Sequence, residues 1–171
     1  MRKLIMAAVL TLTVLLPGLS RADWVLEASV GKGAQVSSPR AWEQLNVMIT
    51  PSYTLPVITM VRLQLGIVGN FADKSDTATN IELRPMIAIV PPVLPIYGRA
   101  IFAVHNLTNR SSSSGTKREF AYGAAGGLRY GLGPIGVFAE IGVLPRDRDL
   151  KDGSSKFVWV LEARAGAYVK F

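Results

Sequence analysis

Taken in steps of two back from the carboxyl terminus, the chain shows a face without a polar group: Phe171, Val169, Ala167, Ala165, Ala163, Leu161, Trp159 and Phe157. The interleaved positions Lys170, Tyr168, Gly166, Arg164, Glu162, Val160 and Val158 hold every charge of that stretch. A period of two is the strand period, because successive side chains point to opposite faces. So complete a separation narrows the folds available. One face of this strand needs an apolar neighbour, and the other needs a place for charge.

The pattern recurs upstream in WVLEASVG (24–31), LNVMITPSY (45–53), TMVRLQLGI (59–67), IELRPMIAI (81–89), YGRAIFAVH (97–105), FAYGAAGGLRY (120–130) and IGVFAEIGV (135–143). Eight strands are predicted, each near the ~9–11 residues of a tilted membrane-crossing strand. Long polar links are expected after the first, third, fifth and seventh: KGAQVSSPRAWEQ, GNFADKSDTATN, NLTNRSSSSGTKRE and PRDRDLKDGSSK. Short ones fall around TLPV, PPVLP and LGP, and turn-forming residues crowd both kinds. Pro85 lies inside the fourth strand, where it removes a ladder hydrogen bond. A bulge, or a different register of strands four and five, is therefore expected there.

The chain opens MRKLIMAAVLTLTVLLPGLSRA, with a basic start (Arg2, Lys3), an apolar run and an A-x-A-like end at Ser20-Arg21-Ala22. This reads as a secretory signal peptide over 1–22, too short and too broken by Pro17-Gly18 to span a bilayer as a helix. Residues 23–171 are then one barrel domain. Three of the 19 Lys and Arg and none of the 12 acids lie in the leader, so the remainder carries +4 instead of +7. With no cysteine and one histidine, neither a disulfide framework nor a Cys/His metal site is available. No cofactor or metal is expected.

Alternation alone also suits a soluble barrel with its apolar face inward. The charges decide between the two. The apolar faces of the eight runs carry no Asp, Glu, Lys or Arg, whereas the other faces mix small residues with Glu27, Glu82, Glu140 and Glu162 and with Arg62, Arg84, Arg99, Arg129 and Arg164. That near-balance suits a cramped lumen, which eight strands enclose and side chains just fill. Charges removed from water must find partners there, and the planar guanidinium suits crowded carboxylate pairing. The other face would then meet hydrocarbon, where the sheet has to close because unpaired backbone groups are costly. The fold class predicted is all-β: an eight-stranded antiparallel up-and-down transmembrane β-barrel, plugged by an ion network of those nine residues.

These features together resemble the small eight-stranded outer-membrane barrels of Gram-negative bacteria, the group that includes OmpX, NspA and the membrane domain of OmpA. The resemblance rests on the leader, the eight runs, the long-short rhythm of the links and the terminal AYVKF, and it covers residues 23–171. It implies location in the outer membrane, both termini in the periplasm and the four long loops outside. It also implies that Phe171, Val169 and Ala167 form the signal read by the barrel-assembly machinery, with Ala167 small for its place.

Chemistry has less support in the residues. Some barrels of this kind modify lipid A, and the deacylases among them carry a His-x-Ser pattern; here the chain reads His105-Asn106-Leu107. RDRDLKDG (146–153) has acids in number but not in calcium-loop spacing, with Arg148 and Lys151 among them. The reading is a non-enzymatic, monomeric outer-membrane barrel serving surface interaction or envelope integrity. Its partners are outer-membrane lipid and lipopolysaccharide, with Lys117, Arg118, Arg146 and Arg148 as candidate phosphate contacts, and nucleic acid has no part. The alternatives are a lipid-A-modifying enzyme using His105 and a barrel that binds a small apolar ligand.

Overall fold

The computed structural model describes residues 24–36, 43–72, 80–105, 119–149 and 155–171. The leader at 1–22 lies outside the described residues. Eight strands follow one another: β1 (Trp24–Gln35), β2 (Glu43–Thr54), β3 (Val61–Ala72), β4 (Asn80–Ile89), β5 (Ile96–His105), β6 (Glu119–Leu132), β7 (Ile135–Asp149) and β8 (Ser155–Lys170). Each pairs antiparallel with its neighbours, and β8 returns to β1, with partners running from Val25↔Lys170 to Gln35↔Val160. The result is a closed barrel with no sheet edge. The backbone N–H of Phe171 donates to the carbonyl of Trp24 at 2.8 Å and finishes the seam.

The strands run further than the apolar alternation does. β1 continues past Gly31 to Gln35, and the β7–β8 ladder extends to Asp149↔Ser155 through residues expected in a loop. Backbone pairing can proceed whatever the side chains are, so a polar stretch ends the pattern without ending the ladder. At the other end, β6 and β7 are joined by Gly133-Pro134 alone, and Gly133 has a φ of 66°, a conformation that favours glycine.

Pro85 neither bulges the sheet nor shifts it. The β4–β5 ladder is interrupted between Leu83↔Val104 and Met86↔Ile101 and resumes in the same register, while Pro85 still pairs with Leu65 on its other side. Pro51 does the same on β2, pairing with Leu26 and leaving a gap towards β3 between Ile49↔Ile67 and Ser52↔Gln64. Each proline ring points away from the lumen, so the loss is confined to one ladder.

Burial follows the same alternation. On β1 the pattern is strict, with Val25, Glu27 and Ser29 buried and Trp24, Leu26 and Val30 exposed. Large apolar side chains cover the outside, Leu128 at 59% and Val137 at 58% exposure among them. Aromatics gather towards the rims: Trp24 against Tyr53, with ring centroids 5.1 Å apart, together with Tyr130 and Phe171 at one end, and Phe71, Phe120 and Trp159 at the other. Trp42 lies outside the described residues.

Candidate functional site

The lumen is where chemistry-bearing side chains converge, because every second residue of eight strands is aimed at it. Seven of the nine sequence-selected residues form one chain of contacts across it. Arg99 on β5 reaches Glu27 on β1 through Nη2 at 3.2 Å and Glu140 on β7 through Nε at 3.1 Å. Glu140 in turn faces Arg164 Nε on β8 at 3.5 Å, and Arg164 Nη2 pairs with Glu162. Glu162 receives both Nη groups of Arg84 on β4, at 2.7 and 2.9 Å, in a bidentate fork. Arg84 Nε meets Glu82 at 2.5 Å. Glu82 and Arg84 are 0% and 1% exposed.

Charges this deep depend on their partners, since desolvation costs several kcal/mol per ion. Neutral side chains complete the set. Asn70 Nδ2 donates to Glu82 at 3.2 Å, Asn46 Nδ2 to Glu162 at 3.3 Å, and Gln64 Nε2 to Ser52 at 2.9 Å and Glu27 at 3.4 Å. The Tyr97 hydroxyl donates to Glu140 at 2.7 Å, and Arg164 donates to Ser29 Oγ at 3.1 Å and Asn46 Oδ1 at 2.6 Å. These neutral members were not singled out from the sequence. Their signal was available, because Asn46, Ser52, Gln64, Asn70 and Tyr97 share the inward parity of the charges.

The other two arginines sit differently. Arg129 on β6 stacks its guanidinium 4.1 Å from the Tyr168 ring centroid, a cation–π contact in place of a carboxylate. Arg62 on β3 is buried and faces the lumen. Apolar side chains fill the remaining space: Val25, Ala88, Val90, Tyr97, Phe138 and Tyr168 in one cluster, Met48, Val68, Met86, Ile101, Ala103 and Leu144 in another.

Of the terminal residues, Phe171 is 74% exposed, Ala167 faces outward and Val169 is half-buried. Lys117 and Arg118 lie outside the described residues. So do the side chains of Arg146, Arg148 and His105, although the backbones of Arg146 and Arg148 pair with Val158 and Lys156. Among the described residues no group of three or more His, Asp or Glu is placed to hold a metal ion. One expectation needs correction. The outward face is not free of charge, because β1 extends far enough to put Lys32 on it, between Leu45 and Ala163.

No family model matches this chain, and no curated protein matches it either. Solved structures do. Neisserial surface protein A (NspA) superposes with a TM-score of 0.57 at 15% identity, covering 88% of this chain and 97% of that one. The N-terminal β-barrel domain of Pseudomonas aeruginosa OprF gives 0.56 at 18% identity, with 86% and 97% covered. A major outer membrane protein from Thermus thermophilus gives 0.51 at 17%, with 88% and 99% covered. The fold is that of the small outer-membrane barrels. At this identity the likeness extends to architecture, and function has to be argued from the residues.

Proposed function

We propose that this chain is an integral outer-membrane protein, exported through its N-terminal leader, whose plugged barrel anchors surface loops and is neither an enzyme nor a diffusion pore. The inversion of polarity carries this reading: hydrocarbon side chains outside, and inside them a continuous run of ion pairs from Glu27 to Glu82. An apolar exterior suits a lipid bilayer, and among the described residues the mutually paired charges and packed apolar side chains of the lumen support a plug over a pore. The links at 36–42, 73–79, 106–118 and 150–154 face the outside, where Lys117, Arg118, Arg146 and Arg148 meet lipopolysaccharide phosphates. The protein works as a monomer and enters the membrane through the barrel-assembly machinery, with Phe171, Val169 and Ala167 as its recognition element.

Two measurements on one preparation test this. Outer-membrane fractions run on a gel in mild detergent, boiled and unboiled, are expected to show a heat-dependent shift, because a closed barrel resists detergent until heated. Liposomes carrying the purified protein are expected to stay impermeable to small sugars. A soluble periplasmic protein with no shift would sink the membrane reading, and porin-like sugar flux would sink the plug.

A further inference from the structure

The three short links, 54–60, 90–96 and 132–135, hold no charged residue, and their polar side chains are Thr54 and Thr59 alone. Their apolar side chains are turned out. Val57 is 92% and Val93 89% exposed, with Ile58, Met60 and Leu94 exposed beside them. Apolar groups gathered at a surface in this way mark a place of interaction. The backbones that carry them are fixed. Leu55 N–H donates to the Val61 carbonyl at 3.0 Å and Val61 N–H to that of Ile58 at 2.8 Å, which closes the first turn on itself. Val90 N–H donates to the Met60 carbonyl at 2.7 Å and ties that turn to the end of β4.

Two cations stand at the same end. Lys170 is the last residue of β8, and Arg129 lies near the end of β6. Turn carbonyls hold their backbones, with Arg129 N–H donating to Pro95 at 2.6 Å and Lys170 N–H to Pro134 at 2.7 Å. Their side chains converge on the Tyr168 ring, the guanidinium 4.1 Å and the ammonium 5.9 Å from its centroid. Both residues are half-buried, and among the described residues Arg129 Nη2 has no hydrogen-bond acceptor.

From Val61 to Phe71, both outward on β3, a rise of about 3.3 Å per residue and a tilt of about 40° give roughly 25 Å along the barrel axis. That is the height of the apolar band of such a barrel. The strands alone thus span the hydrocarbon, and the turns lie beyond it, at the level of the headgroups, a layer about 6 Å deep on each side.

We propose that the short-turn end is seated in the headgroup layer of the inner leaflet, with Val57 and Val93 inside the bilayer interface and Arg129 and Lys170 drawing the phosphate of an anionic phospholipid. The inference rests on the outer-membrane reading above, which turns this end towards the periplasm. Continuity favours a lipid surface over a periplasmic protein. On β4 the outward series Ile87, Ile89 runs on through Pro91 to Val93, and on β7 Val137 leads to Ile135, so no polar seam separates the turns from the lipid-facing wall. Apolar side chains are stable at the headgroup–acyl boundary, and basic ones beside it gain from anionic lipid.

The chain has no cysteine, so single labels can test the depth. A nitroxide is placed on Val57→Cys, on Val93→Cys and, as a mid-wall reference, on Leu65→Cys, each barrel in vesicles of phosphatidylethanolamine and phosphatidylglycerol and each checked for its heat-dependent gel shift. Both tips are expected to relax faster with oxygen than with a water-soluble nickel chelate, as the reference does. Nickel preference at either tip overturns the proposal and leaves the turns in water, open to a periplasmic partner. Val93→Cys decides the depth if Val57→Cys does not fold. Nickel preference at Leu65→Cys would instead defeat the membrane reading beneath it. Native mass spectrometry of wild type and Lys170→Gln in detergent, titrated with phosphatidylglycerol and separately with inorganic phosphate, reads the cations. Lys170→Gln is expected to weaken phosphatidylglycerol binding about five-fold, the contribution of one basic residue at an anionic surface. Equal binding by the two proteins overturns the phosphate contact, and so does inorganic phosphate held as tightly as the lipid.

Discussion

The wall of β2 to β4 and the wall of β6 to β8 solve the same problem with different residues. Outward, β2 to β4 present Leu45, Val47, Ile49, Leu63, Leu65, Ile67 and Ile87, whereas β6 to β8 set Ala124, Gly126, Ala139, Ala163, Ala165 and Ala167 among large side chains such as Leu128, Val137 and Ile141. Inward, the second wall is lined by Gly123, Gly127, Gly136, Gly142 and Gly166, and the large rings of Phe138 and Tyr168 lie against it. The first wall is thick, and the second is thinned where its small residues adjoin, as at Ala139 and Ala165. The thin wall leaves room on the inside for rings and guanidiniums and on the outside for an apolar recess lined by Val30, Leu45, Leu128, Ile141 and Ala165. At Gly123, Gly127 and Gly166 its closest approaches are to backbone carbonyl oxygens, however, so it has less slack there than the thick one.

The largest expected effect tests that slack. A Cβ at Gly166 would collide with the carbonyl oxygen of Ala28 and lie 2.8 Å from the Phe138 ring, whereas one at Gly66 on β3 would meet Met48 Sδ at 2.8 Å and Met86 Cε at 3.1 Å. Methionine ends can move and a strand backbone cannot. Gly166→Val is therefore expected to abolish the heat-resistant form on refolding, and Gly66→Ala to keep it. Loss in both, or in neither, would erase the distinction between the walls.

A second contrast lies among the interior cations that the two walls supply. Arg84, from the thick wall, is held by two carboxylates, and Arg129, from the thin one, by a ring. Arg84→Met leaves Glu82 and Glu162 facing a methionine and is expected to cost about 3–5 kcal/mol. Arg129→Met loses a cation–π contact and is expected to cost about 1 kcal/mol. Denaturant unfolding in lipid vesicles reads both, and equal costs would show that the network does not depend on carboxylate pairing.

The smallest effect is expected on the outer face of the thin wall. Ala165→Leu projects into the recess and meets no packed neighbour, so stability should change by no more than about 0.5 kcal/mol. A loss comparable to that of Arg84→Met would mean that this face is already covered.

Much of this architecture was legible beforehand. The faces of Trp24–Val30 or of Trp159–Phe171 follow from side-chain alternation, which any extended strand must show. Strand ends were less legible. Reading the first run as complete at Gly31 put Lys32 in a loop, because the apolar pattern stops where the hydrogen-bonded ladder does not. Pro85 also misled. A proline disturbs a ladder on the side of its missing N–H, and with its ring turned outward it left the register unchanged. In the candidate site the residue types could be read, but the partnerships could not.

From the sequence alone came the period of two, the count of runs and the sorting of charge to one face, since these are properties of a single extended strand. The joining of Glu27 to Arg99, of Arg84 to Glu162 and of Arg129 to the Tyr168 ring was decided only when the sheet closed. None of those pairs lies on neighbouring strands. The stagger that sets which inward positions share a height belongs to the whole barrel and to no strand within it.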